Sequence, residues 1–385
     1  MNSDWQLGGF GLYLHWPFCE AKCPYCDFNS HVSNSIDQKA WRDAYLIELK
    51  RAASETQGRT LSAVFFGGGT PSLMDPETVA EIINTIRTLW PTSNDLEITL
   101  EANPSSVEAD RFDAFRQAGV NRVSMGIQAL NDIDLKRLGR LHNTNEALAA
   151  FEIARSHFDR VSFDLIYGRQ DQTCAAWEKE LKQALTMAID HISLYQLTIE
   201  NGTAFGDRYA RGKLKGLPNE DLGADMFQVT QEICETFGMP AYEVSNHARD
   251  GAQSRHNLIY WRYGDYLGIG PGAHGRLTLN GTKFATECYS NPKRWLDGVA
   301  NGLTERPRQS LSRKDQAIEF LLMGLRVKEG ISLSRFAQIN GAPLDQSAID
   351  HLVDISMIHV EKDRLIVLDQ GVMILNAVIE SLLPV

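Results

Sequence analysis

No uninterrupted apolar run in this sequence approaches the roughly 20 residues a helix needs to cross a bilayer, which excludes a membrane-spanning helix. The opening MNSDWQLGGF has neither the basic start nor the long apolar core of a secretory signal, so a soluble, cytoplasmic protein is expected. Positive charge is short: 38 Lys and Arg face 49 Asp and Glu, a net charge of −11. That deficit argues against nucleic acid as a partner, although a localised basic cleft would be averaged away in such a count. Cysteine is scarce, with six in 385 residues. In a reducing compartment these read as metal ligands or buried thiols and not as a disulfide framework. There is no low-complexity tract, no clear internal repeat, no Walker loop, no G-x-G-x-x-G and no C-x-x-C-H. The length suffices for one large domain and a small one.

What the sequence does have is a concentration of thiols. Cys19, Cys23 and Cys26 fall within eight residues of YLHWPFCEAKCPYCDF, Tyr13 to Phe28, directly after a short apolar strand. At C-x3-C-x2-C spacing three thiolates can converge on one inorganic centre. A tetrahedral zinc site would want a fourth ligand close by, and none is present. An iron–sulfur cluster with three protein thiolates leaves one iron free to bind something else. A disulfide plus a spare thiol is the plainer alternative. Cys174, Cys234 and Cys288 are scattered, as buried free thiols usually are.

After the cysteine loop, strand and helix patterns alternate. Trp41, Tyr45, Leu46 and Leu49 share a helical face, and SAVFF (62–66) reads as a buried strand. Asp75 and Pro76 read as a cap and first-turn proline before Val79, Ile82, Ile83, Ile86 and Leu89. Strands follow at 96–101, 121–127, 161–167 and 191–199. The helices between them are 105–118, one capped by Thr144, and one carrying Trp177, Leu181 and Leu185; a further helix carries Met226, Val229, Ile233 and Phe237. Such alternation gives a parallel sheet, and six units make a partial (β/α)6 barrel, an α/β fold with chemistry at the C-terminal strand ends. This core is expected over 1–290, a linker over 291–313 and a small α+β module of winged-helix type over 314–385. In the module, helices are expected at 314–326 and 345–355, a hairpin turning near Lys362–Asp363, and a last helix carrying Ile374, Leu375, Val378, Ile379 and Leu382. Packing against the barrel is the role expected of it.

The candidate chemistry sits at those strand ends. Gly67-Gly68-Gly69-Thr70-Pro71 lets the backbone approach a ligand without Cβ interference, and its amides can bind a carboxylate. Glu101 ends the third strand, where a carboxylate can accept both hydroxyls of a ribose, and Gln128 ends the fourth. Arg140 lies one helical segment further on, and Asp164 stands inside the fifth strand, where an unpaired carboxylate is costly to bury. Each could be structural, but together they can line one cavity.

From Tyr13 to about Tyr289, and again in the small module, the sequence resembles the radical S-adenosylmethionine (SAM) family of oxygen-independent coproporphyrinogen III dehydrogenases and their relatives. The resemblance implies that Cys19, Cys23 and Cys26 ligate a [4Fe-4S] cluster. It also implies that Tyr13, Gly68, Gly69, Thr70, Glu101, Gln128, Arg140 and Asp164 contact S-adenosylmethionine, with Tyr25 doing so largely through its backbone. Two departures count against decarboxylation of coproporphyrinogen III: Phe28 stands where those enzymes have a further cysteine, and only twelve residues precede Tyr13 in place of a long arm. His256-Asn257-Leu258-Ile259-Tyr260-Trp261 is an H-N-x-x-Y-W segment similar to the hallmark of the heme chaperone branch of the family. That resemblance implies heme as a ligand, with His256 offering imidazole to its iron between aromatic walls, and His274 and His247 as the next candidates. It further implies heme-receiving client proteins, membrane-associated respiratory enzymes among them, and leaves a homodimer open. No catalytic residue is assigned, and porphyrin synthesis is the alternative activity. Gly168-Arg169-Gln170 stands where relatives often read Gly-Leu-Pro, and nothing in the sequence explains it.

Overall fold

The computed structural model describes residues 4–33, 35–104 and 109–384. The chain opens with β1 (Phe10–Trp16), the two-residue strands β2 (Phe18–Cys19) and β3 (His31–Val32), α1 (Gln38–Glu55), β4 (Leu61–Gly68) and α2 (Pro76–Leu89). It continues with β5 (Thr92–Ala102), α3 (Ala109–Ala118), β6 (Arg122–Gln128), α4 (Asp132–Arg137), α5 (Thr144–His157), β7 (Arg160–Tyr167), α6 (Cys174–Met187) and β8 (His191–Gln196). Strands β1, β4, β5, β6, β7 and β8 lie side by side in that order, all parallel. This is the partial (β/α)6 barrel. Residues 105–108, at the start of the expected third helix, lie outside the described residues.

Local chemistry explains most element boundaries. Helix α2 opens on Pro76, whose missing N–H is one the first turn leaves free in any case, and buries Val79, Ile82, Ile83 and Ile86 against the sheet. Helix α5 is capped by Asn143, one residue before the expected Thr144. Asn143 forms a reciprocal capping box with Glu146, and an amide oxygen at that position serves as well as a hydroxyl.

Beyond β8 the chain adds α7 (Ala204–Ala210), α8 (Glu220–Thr236), the antiparallel edge strand β9 (Asn246–Ala248), and α9 (Arg255–Trp261), which is the H-N-x-x-Y-W segment. Then β10 (Asp265–Ile269) returns parallel to β1 on its other side, and β11 (His274–Leu279) and β12 (Thr282–Glu287) extend the sheet antiparallel. Helix α10 (Pro292–Gly298) and strand β13 (Gln309–Ser310) come next. Among the described residues the sheet therefore has eleven strands. The stretch 291–313, read as a linker, is held to the barrel instead. Trp295 is fully buried, stacking on Trp41 of α1 with ring centroids 5.6 Å apart. Thr304 donates to Glu48 at 2.7 Å and Arg308 pairs with Glu55 at 2.7 Å.

The C-terminal module comprises α11 (Arg313–Gly324), β14 (Ile331–Ser332), α12 (Leu333–Asn340), α13 (Gln346–Asp354), the hairpin β15 (Ile358–Glu361) and β16 (Arg364–Val367), α14 (Asp369–Met373) and α15 (Leu375–Leu382). Its three strands order as β14, β16, β15, the arrangement of a small winged-helix-like module. It has its own apolar core, built on Phe320, Leu321, Phe336 and Leu365, which Tyr263 of the barrel joins. Arg335 forks onto Asp4 at 2.9 Å, Arg262 onto Glu329 at 2.6 Å and Arg276 onto Glu319 at 2.8 Å, so ion pairs fasten module to barrel. No helix among the described residues is long and apolar enough to cross a membrane.

Candidate functional site

The C-terminal ends of β4, β5 and β6, with Asp164 of β7, open into one pocket of about 140 Å³. Cys19, Cys23, Cys26, Tyr25, Gly68, Gly69, Thr70, Glu101, Gln128, Arg140 and Asp164 line it, and Tyr13 and the candidate heme ligands His256, His274 and His247 do not. The three thiols come from the loop that β2 and β3 close at its base, through their parallel pairing of Phe18 with His31. Cys26 N–H donates to the Cys23 carbonyl at 3.1 Å, folding the loop back on itself. Thr70 Oγ1 donates to Cys19 Sγ at 3.5 Å, and Arg140 Nη1 to Cys23 Sγ at 3.3 Å. Burial pushes the Cys19 and Cys26 thiols up, so both would need a cation to stay ionised. Among the described residues no group of three or more His, Cys, Asp and Glu is gathered tightly enough to hold a single metal ion. A cluster asks for a different arrangement, since each thiolate binds its own iron and the three sulfurs stand further apart than the ligands of one ion. Three thiols around one cavity fit that demand. Cys174, Cys234 and Cys288 do not line the pocket, and the latter two are buried in the core.

The glycines do more than clear space for a ligand. A Cβ on Gly69 would stand 2.5 Å from the Phe18 carbonyl oxygen, and one on Gly68 would stand 2.6 Å from the His15 ring. Their bareness is therefore required by the cysteine loop and by β1. The Gly68 N–H donates to Glu101 Oε2 at 3.1 Å, so one pocket carboxylate is already held by this turn.

Two carboxyls share the pocket. Burial, and then the charge of Asp164, raise Glu101 to about 8. Burial raises Asp164 to about 6, opposed by hydrogen bonds from Ser193 and Ser124 and by the Arg122 charge. Two groups of this kind prefer neutral partners or donors, which suits hydroxyl groups of a bound nucleoside. Gln128 has a left-handed backbone, φ 73°, at an irregularity in the β6–β7 pairing, an unusual state for a residue with a side chain. Its Oε1 and the Nε of Arg140 are buried with no hydrogen-bond partner among the described residues. Such orphaned atoms facing a cavity are what a polar ligand would satisfy. The donor set thus fits S-adenosylmethionine beside a cluster.

Asn103, Ser124 and Gly126 line the pocket as well and were not singled out from the sequence. Asn103 takes an Arg140 Nη2 bond at 3.0 Å and Gly126 offers its carbonyl at 2.8 Å. Their signal was adjacency: Asn103 and Gly126 sit two residues from Glu101 and Gln128, and Ser124 lies on the same strand as Gln128. The unexplained Arg169 also finds its place. It is 3% exposed, paired with Glu180 and with Asp134 at 3.2 Å, and its Nη1 donates to the Gln128 carbonyl at 3.4 Å. Arg169 thereby holds the strained residue at the pocket wall.

Tyr13 and His256 lie elsewhere. The Tyr13 hydroxyl bonds His15 Nδ1 at 2.9 Å, on the inner face of β1. His256 follows the Ser254 cap of α9, which is fastened beneath the sheet by bonds from Arg255 N–H and His256 N–H to Glu97 Oε1. Its ring lies 4.3 Å from Phe65, 4.3 Å from Tyr260 and 6.0 Å from Tyr13, and it is 4% exposed. Burial lowers its pKa to about 3, so the imidazole is neutral. As placed, the ring is closed over by Phe65, Tyr260 and Tyr13, and its Nδ1 is buried with no hydrogen-bond partner among the described residues. The residues that follow α9 build β10 and the turn after it. Of the alternatives, His247 is fully buried and His274 is exposed at the start of β11.

Comparison with known proteins places this geometry. Residues 13–183 match the Radical SAM superfamily and residues 311–374 the HemN C-terminal domain. The chain is similar to "Heme chaperone HemW" of Haemophilus influenzae, 37% identical over 98% of this chain and 99% of that protein. It is similar to "Radical S-adenosyl methionine domain-containing protein 1, mitochondrial" of Bos taurus, 41% identical over 85% of this chain and 75% of that one. Among solved structures, coproporphyrinogen III oxidase (HemN) from Escherichia coli superposes with a TM-score of 0.79 over 100% of this chain and 93% of that one. At 22% identity that likeness shows the shared fold.

Proposed function

This chain belongs to the HemW family of radical SAM proteins, and on that footing we propose that it is a heme chaperone. It carries a [4Fe-4S] cluster, S-adenosylmethionine and heme, and it delivers heme to client proteins. The observation that carries this reading is the match to a protein named for that role along 98% of the chain. Cys19, Cys23 and Cys26 would ligate the cluster. Gly68, Gly69, Thr70, Glu101, Gln128, Arg140 and Asp164 would hold S-adenosylmethionine, with Tyr25 at the cavity wall. When bound, the cluster supplies an iron with an open coordination position and one-electron chemistry. The chain's own residues bind and orient: Glu101 takes ribose hydroxyls, Arg140 steadies a thiolate, and Phe28, 57% exposed, stands at the rim without a thiol to offer. We place the protein in the cytoplasm, with respiratory enzymes at the membrane as clients and a homodimer as a permitted assembly.

The test is a heme titration of anaerobically reconstituted protein, followed by transfer to an apo-globin acceptor. Heme should bind without loss of the cluster and then move to the acceptor. Changing Cys19, Cys23 and Cys26 together to Ala should abolish bound iron and sulfide. Conversion of coproporphyrinogen III under the same reducing conditions, with S-adenosylmethionine present, should be negligible. Robust conversion would overturn the chaperone reading.

A further inference from the structure

We infer that heme is held by its two propionate carboxylates in a basic pocket on the outer side of the cysteine loop. The inference rests on the chaperone reading and adds where the cargo sits. This second pocket, about 560 Å³, is lined by Lys22, Lys136, Arg137 and Arg208 together with Cys23 and Cys26, and no carboxylate lines it. In a chain of net charge −11, four cations around one cavity are a local reversal of sign. Arg137 is partly committed, pairing with Asp171 at 2.9 Å. Lys22, Lys136 and Arg208 make no ion pair among the described residues, so their charge is available to a ligand.

The backbone builds this pocket. The Phe205 N–H donates to the Pro24 carbonyl at 2.8 Å, tying α7 and its Arg208 directly to the cysteine loop. Gly139 is bare because a Cβ there would stand 2.5 Å from Pro24 Cδ, which lets the end of α4, with Lys136 and Arg137, close against the same loop. The basic character continues past α7 through Arg211, Lys213 and Lys215, all exposed. Tyr209, next in sequence to Arg208, is 58% exposed.

Cavity size and charge select the ligand class. The volume is that of a small-molecule site, roughly 300–1,000 Å³, and not of a flat protein interface. The cations call for a dianion, and on the chaperone reading that dianion is the pair of heme propionates. The lining contains no His or Met to take an axial position on iron, and its two thiols belong to the cluster. Heme gripped by its carboxylates would present its iron outward, where a client's own ligands can capture it. The burial of His256 is consistent with this, since no ligand has to come from α9.

The experiment is an optical titration of the cluster-loaded protein with heme and, separately, with heme dimethyl ester, whose carboxylates are uncharged. The variant Lys136→Glu/Arg208→Glu is compared with the parent and with Lys182→Glu/Lys314→Glu, which makes the same charge change away from the pocket. The pocket variant should bind heme at least about ten-fold more weakly while keeping its iron and sulfide content and its circular dichroism. The parent should bind the ester about ten-fold more weakly than heme, and His256→Ala should leave the heme spectrum unchanged. Equal affinity of the pocket variant and parent for heme would overturn the assignment, as would a parent that binds heme and ester alike. Unchanged heme affinity with lost binding of poly-L-glutamate would assign the pocket to an acidic protein and overturn it too. A parent that binds no heme at all would instead sink the chaperone reading on which this one rests.

Discussion

Replacing Arg169 with Met should cost about 3–5 kcal/mol of stability, the usual consequence of stripping one partner from a buried ion pair. The structure sets that magnitude. Arg169 is 3% exposed and Glu180 9% exposed, so neither charge can recover its lost partner from water. Glu180 Oε1 also accepts the Leu130 N–H at 2.6 Å and Arg169 Nη1 at 3.1 Å, and the second Nη lies 3.2 Å from Asp134. Without the guanidinium, Glu180 keeps the Leu130 N–H, while Asp134 still takes the Asn131 Nδ2 bond at 2.8 Å. Glu180→Gln should cost less, about 1–3 kcal/mol, because the amide still accepts the Leu130 N–H and Arg169 keeps Asp134. The double variant Arg169→Met/Glu180→Gln should therefore be more stable than Arg169→Met by itself, a coupling of about 2 kcal/mol. Urea denaturation of the cluster-free protein, followed by tryptophan fluorescence, reads all four proteins on one scale. Against a typical stability of about 5–15 kcal/mol the single change should be plain. An Arg169→Met protein as stable as the parent, or a double variant no better than it, would refute the account of Arg169 as a charge that the fold depends on.

Glu101→Gln should flatten the dependence of stability on pH. With its folded pKa near 8, above the unfolded value of 4.5, Glu101 contributes stability in full below pH 4.5 and loses it as pH rises through 8, by a few kcal/mol at most. Melting temperatures of the cluster-free protein from pH 5 to 8 should fall in the parent and fall less in the variant, and parallel curves would refute the shift. Gly69→Ala should lower reconstituted iron and S-adenosylmethionine binding together, because its Cβ presses on Phe18 at the base of the cysteine loop. Full iron content with impaired cofactor binding would instead show that this glycine serves the ligand.

Sequence by itself determined the parts of this protein that depend on local spacing. Three thiols in eight residues are confined to one loop that is too short to carry them far apart. Alternation of apolar runs with helical faces gave the parallel strands, since each pattern has a single way to bury its apolar side. It also placed Gly68, Glu101, Gln128 and Asp164 at or near strand ends, which is why they meet in one cavity. The extension of the sheet by β10, β11 and β12 was not legible, because these short strands are interrupted by glycines and gain their order from pairing with β1 and with one another. Nor was the direction in which α9 faces. The H-N-x-x-Y-W segment reads as a ligand site in one dimension, yet Phe65 and Tyr13, far away in sequence, close over His256. Arg169 looked like an irregularity until Glu180 and Asp134 were brought to it from two different helices. Tertiary structure alone decided the basic pocket, since its cations come from the cysteine loop, α4 and α7, and a count of charges over the whole chain hides them.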